Sequence, residues 1–323
     1  MSVVTTRARA PAEAADTADF AVAQVVARVS SEYVLRAFQL LIDAFGDMRE
    51  GLLMQTIWAA NTAHLDASSG WGRRLASSNV TLPDEARRPI SIARLAASTE
   101  LPFESTRRIV QRLIDQGACK RVEGGMIVPQ AVEERPEAAR GATTNLGYVR
   151  RFTRDLQAIG IIERAPAAWA RSPQDAARDA VVARIIARVS ASYVLRVLKL
   201  FADTFGDLRT GIVAQTIATA NTAHLDVRRG EGWRYAAIDE ALPDAMRRPI
   251  SVARLAESLG LPYETVRGYV RRLADAGACV RIERGVIIPQ ALLMRPQFAR
   301  AALANVAYVR KFMRELEAAG LEG

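Results

Sequence analysis

The apolar positions of this chain recur at two different periods, and the change of period marks out its elements. In the second half Ile185, Ile186, Val189, Tyr193, Val194, Val197, Leu198, Phe201 and Phe205 return at three- and four-residue steps, the spacing of one apolar face on a long helix. Gly206-Asp207 interrupts that pattern, as Gly46-Asp47 does in the first half. A second helix is predicted from about Gly211 to His224, with Ile217, Asn221 and His224 on one side. These helices read as packing and association elements.

A shorter alternation follows a loop that contains Trp71 or Trp233 and ends at Leu-Pro-Asp. From residue 251 the chain reads SVARLAESLGLPYETVRGYVRRLADAGACVRIERGVIIPQ. Ser251 suits the N-cap of a short helix carrying Val252, Leu255, Ala256 and Leu259. Gly260 supplies the left-handed residue of a sharp turn, and Leu261-Pro262 restarts the chain. The next helix, from about Pro262 to Ala276, turns Val266, Tyr269, Val270 and Leu273 inward. It turns Glu264, Thr265, Arg267, Gly268, Arg271 and Arg272 outward, and Gly277 stops it. Val280–Ile282 and Val286–Ile288 alternate around Glu283-Arg284-Gly285, a hairpin pattern.

The two halves match at one fixed offset. Arg28-Val29-Ser30 returns as Arg188-Val189-Ser190 and Ala93-Arg94-Leu95 as Ala253-Arg254-Leu255, with 188 − 28 = 253 − 93 = 160. The offset still holds at Pro129/Pro289, Tyr148/Tyr308 and Gly160/Gly320. This reads as one domain duplicated and fused: a disordered tail over 1–20, a first repeat over 21–160, a linker over 161–180 and a second repeat over 181–323. One position departs. Glu100 stands where the second half has Gly260, and a left-handed non-glycine residue costs about 1 kcal/mol, so that turn is expected to be strained or altered.

Charge narrows the function. The chain has 323 residues with a net charge of +9, and only Lys120, Lys199 and Lys311 of its 44 basic residues are lysines. A basic balance favours a polyanionic partner. Two cysteines (Cys119, Cys279) and two histidines (His64, His224) show no ligand spacing, which argues against a zinc site, a disulfide or a thiol catalyst. Each cysteine follows Gly-Ala and reads as a small buried residue. No phosphate-cradling loop, nucleophile elbow or carboxylate cluster is present, so neither an enzyme nor a cofactor is expected. Without a bilayer-length apolar run or a signal peptide pattern, a cytoplasmic, nucleoid-associated protein is expected.

The segment SVARLAESLGLPYETVRGYVRRLADAG resembles the helix-turn-helix of the large winged-helix regulator superfamily, the MarR-, GntR- and IclR-like repressors and activators. SIARLAASTELPFESTRRIVQRLIDQG in the first half is similar. The resemblance covers about 45 residues per half, and the flanking helices look like the association region of MarR-like dimers. It implies a mainly α fold with small β-hairpin wings, and a second helix that enters the major groove. By position, base readers would be Ser105, Arg107, Arg108 and Gln111 in the first half, and Thr265, Arg267, Gly268 and Arg271 in the second, with Arg112 and Arg272 as further DNA-binding residues. Lys120, Arg121, Arg281 and Arg284 would be wing contacts, and Ser91 and Ser251 phosphate contacts. Because Arg108 and Gln111 face Gly268 and Arg271 at equivalent places, two non-identical half-sites are expected.

A second candidate site is the heptapeptide Ala-Asn-Thr-Ala-His-Leu-Asp, identical at 60–66 and 220–226. Asn61, His64, Asn221 and His224, with Trp71 and Trp233, read either as an effector pocket or as a buried hydrogen-bond network that fixes helix packing. The network is favoured, since buried polar groups are normally there to be satisfied. The expected partner is double-stranded DNA, with a small-molecule effector left open and no membrane. A single chain would act as a pseudo-dimer, and further homo-oligomerisation stays open. A tandem winged-helix replication or partition initiator, a nucleoid-type binder and a protein-interaction scaffold remain alternatives.

Overall fold

The computed structural model of the protein describes residues 11–65, 81–163, 176–225 and 242–321. The described chain is mainly helical and carries two small antiparallel two-stranded hairpins. Its elements are α1 (Pro11–Phe45), α2 (Met48–Thr62), α3 (Ile92–Thr99), α4 (Phe103–Asp115), β1 (Lys120–Val122), β2 (Gly125–Ile127), α5 (Gln130–Glu133) and α6 (Pro136–Ala158). After them come α7 (Ala176–Phe205), α8 (Leu208–Thr222), α9 (Val252–Leu259), α10 (Tyr263–Asp275), β3 (Val280–Ile282), β4 (Gly285–Ile287), α11 (Gln290–Leu293) and α12 (Pro296–Leu316). From α2 to β2, each element has a counterpart of equal length 160 residues on.

Helix α1 starts at Pro11, inside the stretch read as a tail over 1–20. A proline is tolerated in a first helical turn, and the alanines after it favour helix over coil. Helix α7 likewise starts inside the expected linker. Trp71 and Trp233, the tail residues 1–10 and the linker residues 164–175 lie outside the described residues.

Two compact units form, and each gathers three stretches of chain. One holds 1–31, 158–161 and 201–307; the other holds 32–157, 162–200 and 308–323. The segments of the two units alternate along the chain.

The unit containing residues 32–157 has two packing centres. Leu53 and Ile57 of α2, Leu95 of α3, Val110 and Leu113 of α4 and Met126 of β2 form a buried cluster that mounts the helix-turn-helix on α2. Tyr33, Phe152, Tyr193 and Phe312 stack on one another with ring centroids 4.8–6.4 Å apart. They draw α1, α6, α7 and α12 together with large apolar areas and offset stacking. Tyr33 donates its hydroxyl to Asn145 Oδ1 at 3.3 Å, and Asn145 Nδ2 donates to Ser190 Oγ at 3.0 Å. Burial raises the Tyr33 phenol well above its ordinary pKa, with the Ser190 and Asn145 hydrogen bonds opposing weakly.

In the other unit Val213, Ile217, Leu255, Val270, Leu273 and Val286 are buried at the matching positions. Phe298 packs edge-on against Phe205 at 5.2 Å. Ser31 donates to Gln215 Oε1 at 3.0 Å, and Ser30 to Asn305 Oδ1 at 3.2 Å.

Candidate nucleic-acid interface

The local chemistry of each helix-turn-helix follows its sequence closely. Ser91 and Ser251 cap α3 and α9, their Oγ atoms accepting from the N–H of Arg94 and Arg254 at 3.3 Å. Gly260 closes α9 in the left-handed conformation at φ 61°, ψ 29°. Glu100 adopts the same conformation at φ 55°, ψ 25°, so the turn keeps its geometry and bears the strain. It is the only non-glycine residue with positive φ among those described.

The hairpins are tighter than the alternation suggests. Strand β4 begins at Gly285, one residue before the expected Val286, which leaves Glu283-Arg284 as the turn. A one-residue bridge flanks each: Ile90 N–H donates to Met126 O at 3.2 Å and Met126 N–H returns to Ile90 O at 2.9 Å. Ile250 and Val286 pair in the same way. The approach is close enough that a Cβ on Gly125 would stand 2.3 Å from the Ile90 carbonyl oxygen, and on Gly285 2.4 Å from that of Ile250.

The second helix of each motif has a buried face and an exposed one. Ile109, Val110 and Leu113, like Val266, Tyr269, Val270 and Leu273, are buried. Arg107, Arg108, Gln111 and Arg112 of α4 are exposed and Ser105 half-buried; Thr265, Arg267, Arg271 and Arg272 of α10 are exposed and Gly268 half-buried. Some cations have local partners. Arg107 pairs with Glu104 at 3.0 Å and Arg267 with Glu264 at 2.5 Å. Gln111 Nε2 donates to Asp115 Oδ1 at 2.9 Å, and the Arg272 guanidinium lies 4.3 Å over the Tyr269 ring.

Arg112 is tied more firmly. Its Nε donates to Glu50 Oε1 at 2.8 Å, and Glu50, on α2, is only 5 % exposed. That pairing gives a buried carboxylate its counter-charge, so Arg112 holds α4 to α2. In the first hairpin Lys120 Nζ pairs with Asp84 Oδ2 at 2.6 Å, while Arg121 is exposed. In the second, Arg281 and Arg284 are exposed. Burial raises the Asp84 carboxyl, but the Lys120 contact, the Gln130 N–H and Arg87 outweigh it and hold its pKa below the ordinary value.

Two residues at this face were not anticipated. Phe103 and Tyr263 begin α4 and α10 and are 50 % and 48 % exposed, although aromatic rings are usually buried. The signal was present as Leu-Pro-Phe and Leu-Pro-Tyr at matched positions. Position 103 falls four residues before Arg107 and so shares its face.

The repeated heptapeptide resolves into different roles. Asn61 has no exposed surface. Its Nδ2 donates to the carbonyls of Arg88 and Met126 at 2.8 and 3.1 Å, and its Oδ1 accepts from Val128 N–H at 2.8 Å. Asn221 repeats this with Arg248, Val286 and Ile288 at 2.7, 3.1 and 2.9 Å. Each asparagine therefore fastens α2 or α8 to the strand before the helix-turn-helix and to the hairpin. His64 and His224 lie in turns past the ends of their helices and are half-buried, so they do not extend the helical face as expected. Burial and nearby Arg88 lower the His64 pKa, against a backbone contact with Ala86.

Cys119 and Cys279 are buried free thiols. Burial pushes Cys119 up to about 11 and raises Cys279 as well, so both stay protonated and poorly nucleophilic at neutral pH. Among the described residues no group of three or more His, Cys, Asp or Glu side chains is placed to hold a metal ion. No described helix is long and apolar enough to cross a membrane. No protein-family model, curated protein or solved structure matches this chain.

Proposed function

We propose that the protein is a sequence-specific, double-stranded-DNA-binding transcriptional regulator, with two winged helix-turn-helix heads in one duplicated chain. The observation that carries this reading is the pairing of element order with surface chemistry. In both units a capped helix, a left-handed turn and a second helix are followed by a hairpin, and the free face of the second helix is arginine-rich. A rigidly mounted helix with an exposed cationic face fits a major groove, where arginine bonds guanine bidentately for about 1–3 kcal/mol of discrimination.

Arg108, Gln111, Arg267 and Arg271 are the base readers in this reading, helped by Ser105, Arg107 and Thr265. Arg121, Arg281 and Arg284 of the wings, with Ser91 and Ser251 at the helix starts, contact the phosphate backbone. The heads read different sequences because Arg108 and Gln111 correspond to Gly268 and Arg271. The operator is then an imperfect palindrome, and one chain does the work of a dimer. The site of action is the nucleoid.

The test is retention of fragmented genomic DNA by the purified full chain at physiological salt, followed by sequencing. Sharp peaks that share two related half-motifs support a regulator. Even coverage that disappears as salt rises points to a nucleoid-type binder. No retention at any salt overturns DNA binding.

A further inference from the structure

The unit containing residues 32–157 carries a half-open cavity of about 390 Å³, in the range of small-molecule sites. Its apolar wall includes Ala37, Leu41, Trp58 and Ala138, and its polar wall Glu133, Arg184 and Arg188. Residues 160 positions away explain why there is space. Ala37, Leu41 and Ala138 correspond to Val197, Phe201 and Phe298, all three buried, with Phe298 packed on Phe205. Phe201 and Phe298 of the other unit are thus bulkier than the Leu41 and Ala138 that line the cavity, and Val197 is bulkier than Ala37.

The charged wall changes as well. Trp58, Glu133 and Arg184 correspond to Ala218, Leu293 and Gln24. Glu133 is already engaged, its Oε1 accepting from Trp58 Nε1 at 2.5 Å and from Arg87 Nη1 at 2.6 Å. Arg135 donates to Gly117 O and Glu137 pairs with Arg140. Arg184 differs: its Nη2 is shielded from solvent and has no hydrogen-bond partner. A buried guanidinium nitrogen without an acceptor costs free energy unless a ligand supplies one. Arg188, one helical turn on, is buried enough to lower its pKa, with Glu133 only partly offsetting. The cavity therefore carries unanswered positive charge beside an apolar wall.

We propose that this cavity binds one small amphipathic organic anion per chain, an aromatic or medium-chain carboxylate. Its carboxylate sits on Arg184, and its apolar body lies against Leu41, Ala138 and Trp58. The site is defined within one unit and stands whether or not the chain binds DNA.

The experiment is ligand-observed NMR followed by calorimetry on the full chain, with 2-naphthoate, indole-3-acetate and decanoate as probes and 2-naphthamide and indole-3-acetamide as neutral controls. At least one aromatic acid binds with a stoichiometry of one, and about tenfold or more tighter than its amide, as a charged hydrogen bond predicts. Ala138→Phe, which installs the counterpart residue, abolishes binding. Arg184→Gln, also the counterpart residue, erases the preference for acid over amide while circular dichroism shows an unchanged fold. The proposal is overturned if no acid binds at millimolar concentration, if two equivalents bind, if amides bind as tightly, or if Arg184→Gln changes nothing.

Discussion

Glu100 and Gly260 hold the same left-handed backbone, at φ 55° and φ 61°, in the turns of the two helix-turn-helix motifs. Only one of them does so without strain. A Cβ on Gly260 would meet nothing within 4 Å, so the difference is conformational and not steric crowding. Glu100 also pairs with Lys199 at 2.7 Å, but both side chains are more than half exposed, and such pairs contribute little. Glu100→Gly is therefore expected to stabilise the protein by up to about 1 kcal/mol, and Gly260→Glu to destabilise it by a similar amount. Urea unfolding of both variants checks this, and a Glu100→Gly midpoint below wild type contradicts it.

Asn61 and Asn221 make a sterner prediction. Replacing either by leucine keeps similar bulk but leaves buried backbone groups, Val128 N–H or Ile288 N–H among them, without their partner. Each orphaned group costs about 1–3 kcal/mol, so a loss of about 2–5 kcal/mol per substitution is expected. Asn61→Asp should be as harmful, since a carboxylate cannot donate to the Arg88 and Met126 carbonyls. Thermal unfolding of the three variants decides between this structural role and ligand contact, because a ligand contact would leave the unliganded protein unchanged.

What the sequence shows and what it hides divide along physical lines. Ser251, Gly260 and Gly277 are local signals, since cap and turn chemistry act within a few residues, and the elements they bound fall where expected. The inward set Val266, Tyr269, Val270 and Leu273 follows from helical period alone. Strand β4 is displaced by one residue because Gly285 is needed where the chain passes the Ile250 carbonyl, a contact 35 residues distant. The interleaving of the units is long-range for the same reason, as no local pattern says which segment a 35-residue helix will pack against. Asn61 was legible as a polar residue on an apolar face, but its three acceptors and donors come from residues 27 to 67 positions away. Arg112 looks from period alone like any other exposed arginine. Its tie to Glu50 appears only when α2 and α4 are packed together.

His64 gives a pH dependence of definite sign. Burial and Arg88 lower its folded pKa below the ordinary 6.5. As pH falls below that value the unfolded chain takes up a proton that the folded chain resists, so stability is lost. It is fully present above 6.5 and declines as pH drops toward the folded value. Melting temperature measured from pH 7.5 to 5 should fall, and His64→Gln should flatten that slope. A His64→Gln profile parallel to wild type would rule out the histidine as the source.

The last prediction separates the two kinds of residue on the free face of α4. Arg108 is exposed and cationic, and its bidentate bond to a guanine would set base preference. Phe103 is exposed and uncharged, so its contact with a sugar or a thymine methyl group would be apolar. On a DNA site selected by the protein, Arg108→Ala should cost about 1–3 kcal/mol and relax the base preference at one position, with the slope of log affinity against log salt close to wild type. Phe103→Ala should weaken binding without changing that slope. Arg112→Ala should lower the melting temperature instead, because its removal strands the buried Glu50 carboxylate. Fluorescence anisotropy across a salt series, paired with thermal melts, reads all three. Equal effects of Arg108→Ala and Arg112→Ala on both measurements would mean that the exposed arginines share one role, and the division between reading and mounting would fall.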